Sequence, residues 1–199
     1  MSAADASDEL CAAAARLVVD EGMEYGPAKH KAARVLGLRR NIELPDNLAL
    51  EDAVREHIAL FCADTQPAEL LALRELALLW MERLAEFRPL LVGAVWRGTA
   101  TRLSPVRLRL YCDDAKAAEL ALLNRGVDFD LASEPGPRGA PVDVLVLAVP
   151  CRALNDRVTL QLSVLDHDDV RGQLKPDARG QSQAGDAAAL RRLLAAAAS

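Results

Sequence analysis

Apolar residues repeat at two different periods along the chain, and the period changes near residue 89. Before that point they recur every three or four positions, the spacing of a helix that buries one face. After it, several stretches alternate apolar and polar residues, as half-buried strands do. The pattern therefore predicts a helical region over residues 1–89 and a mixed region over residues 90–199, packed together as one unit.

The first region contains four predicted helices, over residues 5–19, 28–36, 48–63 and 66–88. Asp46 or Asn47 suits the cap of the third helix, Pro67 falls in the first turn of the fourth, and Pro89 ends it. The fourth helix carries an apolar seam for packing on another helix or on a sheet. The seam consists of Leu70, Leu73, Ala77, Trp80, Leu84 and Phe87.

In the second region, the pattern predicts strands over residues 90–96, 106–112, 127–133, 142–149 and 158–166. It predicts helices over residues 114–123 and 187–197. In the second strand, apolar positions alternate with Arg107, Arg109 and Tyr111, so these three side chains share the face opposite the buried one. The predicted fold class is α+β: an N-terminal helical layer followed by a mixed sheet of about five strands with flanking helices.

Composition and charge disfavour several classes of protein. With 51% hydrophobic residues and a net charge of −5, the chain resembles an ordinary globular protein and not one that coats nucleic acid. The four cysteines lack the spacing of a zinc site, which favours free thiols. The acidic N-terminus and the lack of a run of about 20 apolar residues predict a cytoplasmic protein without a membrane partner.

One segment departs from this acidic balance, since no acid lies between residues 26 and 40. Its basic residues are Lys29, Lys31, Arg34, Arg39 and Arg40. Two interpretations are open: a solvated helix face with a favourably charged end, or a patch that binds RNA or a protein partner.

Residues 93–108, GAVWRGTATRLSPVRL, resemble the signature of the polymerase-beta-like nucleotidyltransferase superfamily. That signature has Gly-Ser at a strand end, a turn, and a strand that begins Ser-Asp-x-Asp-Leu. Gly93 stands at the first glycine and Ala94 where serine is usual, while Leu108 matches the closing leucine. The resemblance implies a nucleotidyltransferase-like sheet with a ligand-binding groove formed by Gly93, Ala94, Arg97, Gly98, Thr99, Ser104, Arg107 and Arg109.

The two metal-binding acids of that signature are replaced here by Pro105 and Arg107. Divalent hard cations require oxygen ligands, so the substitution predicts a degenerate member with no metal and no cofactor, and leaves enzymatic activity uncertain. Asp143 suits the position of the superfamily's third acid. We therefore expect Arg107 to pair with Asp143, replacing metal coordination with an ion pair.

Three functional interpretations follow. The first is a nucleotidyltransferase-like protein without metal-dependent catalysis that binds a nucleotide, another phosphate-bearing ligand, RNA or a protein. The second is an active, magnesium-dependent nucleotidyltransferase that uses relocated acids from among Asp113, Asp114, Asp128, Asp130 and Asp143. The third is a scaffolding or protein-interaction domain that uses the seam of the long helix, in which case it could form an oligomer.

Overall fold

The computed structural model describes residues 3–38, 42–170, 175–177 and 179–197. Within these ranges it contains seven α-helices and one mixed sheet of six strands. The α+β class is confirmed. The predicted strand number is wrong by one, because a two-residue strand near the C-terminus adds a sixth.

The chain divides into two compact units. The first comprises Met1–Glu69 and Thr99–Ser104. It contains helices α1 (Ala3–Glu21), α2 (Tyr25–Val35) and α3 (Asn47–Phe61) and the start of α4 (Gln66–Arg83). Its core is aliphatic and includes Leu10, Val18, Leu50, Val54 and Ile58.

The second unit comprises Leu70–Gly98 and Pro105–Ser199 and holds the whole sheet. After α4 come β1 (Leu90–Val92), α5 (Gly93–Arg97), β2 (Val106–Cys112), α6 (Ala115–Asn124), β3 (Asp130–Pro135), β4 (Pro141–Cys151), β5 (Asp156–Asp166), β6 (Ala184–Gly185) and α7 (Ala187–Ala197). The strand order is β3-β4-β5-β2-β1-β6. The β2–β5 pair is parallel and the other pairs are antiparallel.

Capping residues and first-turn prolines predicted most helix starts correctly, whereas the observed ends of several helices and strands differ from the predicted ones. Asp46 caps α3, its carboxylate accepting from the Ala49 amide at 2.7 Å, and Asp186 caps α7 in the same way through the Ala189 amide at 2.8 Å. The long helix ends at Arg83, before Pro89, and a short 3-10 helix over Ala85–Phe87 follows it.

The predicted strand over residues 90–96 ends at Val92. Gly93 has a φ of +75°, a left-handed conformation that breaks the extended chain, and α5 begins there. The predicted strand over residues 127–133 instead begins at Asp130 and runs to Pro135. Asp128 therefore lies in the loop before the strand.

The buried positions follow the predicted periodicity. Val106, Leu108 and Leu110 are fully buried on one face of β2. The seam of α4 is buried at Leu73, Ala77 and Trp80, and beyond the helix end at Leu84 and Phe87. The four cysteines are free, as predicted. Among the described helices, none is both long and apolar enough to cross a membrane.

The α3 cap gives a direct stability test. Replacing Asp46 by Ala removes the acceptor for the Ala49 amide and is expected to lower the free energy of unfolding by about 1 kcal/mol, measured by urea denaturation. Asp46→Asn retains a side-chain oxygen at the same place and should retain most of the stability. Equal losses in the two variants would contradict a capping role.

Candidate functional site

The candidate site begins at the turn between β1 and β2. Gly93 starts α5, and Gly98, with a φ of +83°, ends it by donating its amide to the Ala94 carbonyl. The chain then returns in β2, antiparallel to β1, with Val92 opposite Arg107. The predicted succession of strand, glycine turn and second strand is therefore present, with a short helix inside the turn.

Arg74 of α4 holds the end of this short helix. Its Nε donates to the Val95 carbonyl at 3.1 Å and its Nη2 to the Trp96 carbonyl at 3.2 Å. These are terminal carbonyls that α5 cannot satisfy itself. Burial lowers the pKa of Arg74 from its usual value. Arg74 was not among the predicted site residues, since no nearby sequence pattern indicates carbonyl partners 21 and 22 residues away.

The arginine face of β2, consisting of Arg107, Arg109 and Tyr111, forms the body of the candidate site. Both arginines are half-buried, whereas Tyr111 is buried. On the neighbouring strand β5, Gln161 stands opposite Arg107 and Ser163 opposite Arg109. Because facing residues in paired strands share a face, β5 contributes an amide and a hydroxyl here and no carboxylate.

Glu134 of β3 supplies the carboxylate that Arg107 binds on this face. Its Oε2 lies 2.6 Å from Nη2 of Arg107, and its Oε1 accepts from the Ser163 hydroxyl at 2.6 Å. We call this arrangement the Glu134 bridge. The strand β4 lies between β3 and β5, so the Glu134 side chain reaches across β4 to bind Ser163.

The expected ion pair between Arg107 and Asp143 is wrong. Ser163, which shares the face of Arg107, is opposite Val144, so the adjacent Asp143 points to the other face of β4. On that other side, Glu119, and more weakly Asp143, raise the pKa of Lys116 in α6. A carboxylate does lie beside Arg107, as predicted, but it is Glu134 and not Asp143, because a shift of one residue in strand register reverses the face.

The predicted groove residues are distributed over both units. Gly93, Ala94, Arg97 and Gly98 form α5 and its end in the second unit. Thr99 and Ser104 belong to the first unit and are buried there. The Ser104 hydroxyl accepts from the Thr101 amide at 3.0 Å and closes a local turn, which explains a serine at this position without a ligand.

The relocated acids do not converge in the described part of the chain. Asp113, Asp128, Asp130 and Asp143 are exposed, and Asp114 caps α6 by accepting from the Lys116 amide at 2.9 Å. Register places Asp130 on the arginine face and Asp143 on the opposite face. Among the described residues, no three histidine, cysteine or acidic side chains are grouped so that they could hold a metal ion.

Tyr111 adds a buried titratable group to the arginine face. Burial raises its pKa from 10.0 to about 12, the neighbouring Arg109 opposes this increase, and Asp169 adds to it. Asp169 is itself bound to Arg138 at 2.9 Å. The phenol is thus neutral at ordinary pH, and its ring contributes to the core and not to the charge of the face.

The basic segment of the first unit makes mainly internal contacts. Lys29 donates to the Pro45 carbonyl and to Asn47 Oδ1, each at 2.9 Å, and Lys31 pairs with Glu21 at 2.5 Å. Arg34 is exposed, and Arg39 and Arg40 lie outside the described residues. Two of the three described cations therefore bind the protein itself, and only Arg34 is exposed.

Comparison with protein-family models, with curated proteins and with solved structures finds no significant match to the chain.

The Glu134 bridge should contribute measurably to stability. Glu134→Ala removes the acceptor of the Ser163 hydroxyl and the carboxylate bound by Arg107, at a cost of about 1 to 3 kcal/mol in urea denaturation. Glu134→Gln keeps an oxygen for Ser163 and should lose less. If Glu134→Ala has the stability of wild type, the bridge is not formed in solution.

The raised pKa of Tyr111 predicts a loss of stability at alkaline pH. The unfolded phenol ionises near 10.0 and the folded one near 12, so the folded state binds the proton more tightly between these values and is destabilised as pH rises. Across this range wild type should lose up to about 2 kcal/mol more than Tyr111→Phe, measured by urea denaturation at each pH. Parallel curves for the two proteins would contradict the raised pKa.

Proposed function

We propose that this chain is a nucleotidyltransferase-like protein without metal-dependent catalysis, which binds a phosphate-bearing ligand such as a nucleotide on the arginine face of β2. The observation that supports the proposal most is the Glu134 bridge. It engages Arg107, the residue at a position where the superfamily signature has a metal-binding acid.

Electrostatics disfavours a divalent metal ion beside Arg107. Two unit charges about 4 Å apart interact by about 4 kcal/mol at an effective dielectric constant of 20, and a divalent ion doubles this repulsion. The single carboxylate of Glu134 is already shared between Arg107 and Ser163. In the part of the chain that the structure describes, no three histidine, cysteine or acidic side chains are grouped to offset that repulsion.

The same positive charges favour the binding of an anion, with moderate affinity. Arg107 and Arg109 place two guanidinium groups on one half-buried face, and planar guanidinium groups bind phosphate through paired hydrogen bonds. Glu134 accepts from one of these groups through Nη2 of Arg107. A phosphate must therefore compete with Glu134 for Arg107, so the carboxylate acts as an internal competitor of the ligand.

The two other functional interpretations gain no such support. An active enzyme with relocated acids needs carboxylates that converge, and the described acids lie on both faces of the sheet. A scaffold formed by the seam of α4 needs that seam to be exposed, but five of its six residues are buried and Leu70 is half-buried. RNA and protein partners stay predictions.

Isothermal titration with ATP and GTP, with and without Mg²⁺, tests the proposal. We expect binding that does not require Mg²⁺, about tenfold weaker in Arg107→Gln and severalfold stronger in Glu134→Gln. Arg16→Gln provides a matched control, since Arg16 is an exposed arginine of α1 paired only with Asp20 at 3.4 Å in the described structure, and it should bind as wild type does. Tight binding that requires Mg²⁺ would contradict the proposal, as would the failure of Glu134→Gln to bind either nucleotide.

A further inference from the structure

A second candidate site lies within the second unit, between α4 and the end of β4. It is a pocket of about 530 Å³, a size typical of sites for small molecules. Leu76, Leu79 and Trp80 of α4 form one wall, and Val149 and Pro150 of β4 form the other. None of these residues belongs to the arginine face of β2, so the pocket is independent of the function proposed above.

Two arginines line this apolar pocket, Arg83 from α4 and Arg152 from the short 3-10 helix after β4. The guanidinium carbon of Arg83 lies 5.2 Å from the centroid of the Trp80 ring. Glu82 and Glu86, the acids nearest to Arg83 in sequence, bind Arg191 at 2.6 Å and Arg125 at 3.1 Å instead. In the described part of the chain, neither Arg83 nor Arg152 forms an ion pair.

One carboxylate, Glu75, also lines the pocket. It precedes Arg83 by eight positions, which corresponds to roughly 12 Å along a helix. The pocket therefore has a negatively charged end at Glu75 and a positively charged end at Arg83, about two helical turns apart along α4. An anionic group is favoured at the Arg83 end and disfavoured at the Glu75 end.

We propose that this pocket binds a small organic anion, a carboxylate or phosphate monoester attached to an apolar chain. The guanidinium groups of Arg83 and Arg152 bind the anionic head, and the indole of Trp80 and the aliphatic walls bury the chain. Trp80 is itself buried, so it forms a fixed wall to which a flexible chain can bind. A neutral molecule of the same shape gains only the apolar part of this interaction.

Titration of the ¹⁵N-labelled full-length protein with octanoate, octyl phosphate and 1-octanol tests this assignment by NMR. The protein has two tryptophans, and the indole N–H of Trp96 donates to the Ser182 carbonyl at 2.8 Å, away from the pocket. We expect at least one of the two anions to shift the Trp80 indole signal in a saturable way, with a dissociation constant of about 0.1 to 1 mM. The Trp96 signal should stay in place, and 1-octanol should bind at least about fivefold more weakly.

Arg83→Gln/Arg152→Gln should weaken anion binding at least about tenfold, since two charged hydrogen-bond donors are lost. Arg138→Gln is the matched control, because Arg138 is an exposed arginine of the same unit outside the pocket, and it should bind as wild type does. An unchanged Trp96 signal in each variant reports that the unit is folded. Equal affinity for 1-octanol, unchanged affinity in the double variant, or no shift of Trp80 by either anion at about 5 mM would overturn the proposal.

Discussion

The parallel pairing of β2 with β5 is the constraint on which the second unit depends. It joins β1, β2 and β6 to the meander β3-β4-β5 in one sheet. Parallel neighbours cannot be connected by a tight turn, so the chain between them must cross over, and α6 forms part of that crossover with Ala118 and Leu122 buried. The same pairing places Gln161 and Ser163 beside the two arginines.

The chemistry of the arginine face follows from that register. Since β5 brings no carboxylate to the face, the countercharge of Arg107 has to come from farther away, and Glu134 reaches it from the edge strand β3. An arginine at a half-buried position requires such a partner, because burial without one is costly. The Glu134 bridge meets this requirement with one carboxylate, which is shared between Arg107 and Ser163.

Local signals predicted the parts of this structure that depend on neighbours in sequence. The alternation over residues 106–112 located β2 and its two faces, and Asp46, Asp114 and Asp186 located three helix starts. The partner of Arg107 depends on two strand registers at once, and a difference of one residue separates Asp143 from the correct face. Glu134 lies 27 residues from Arg107, so no local pattern links the two side chains.

The α4 helix shows why charge has to be judged site by site in this acidic protein. Its last turns contain Glu82 and Arg83, one position apart in sequence, yet a helix directs adjacent side chains about 100° apart. Glu82 meets Arg191, while Arg83 faces the pocket and Trp80. A net charge of −5 is therefore compatible with a pocket whose cations are uncompensated, and it is the direction of each side chain that decides which anions the protein can hold.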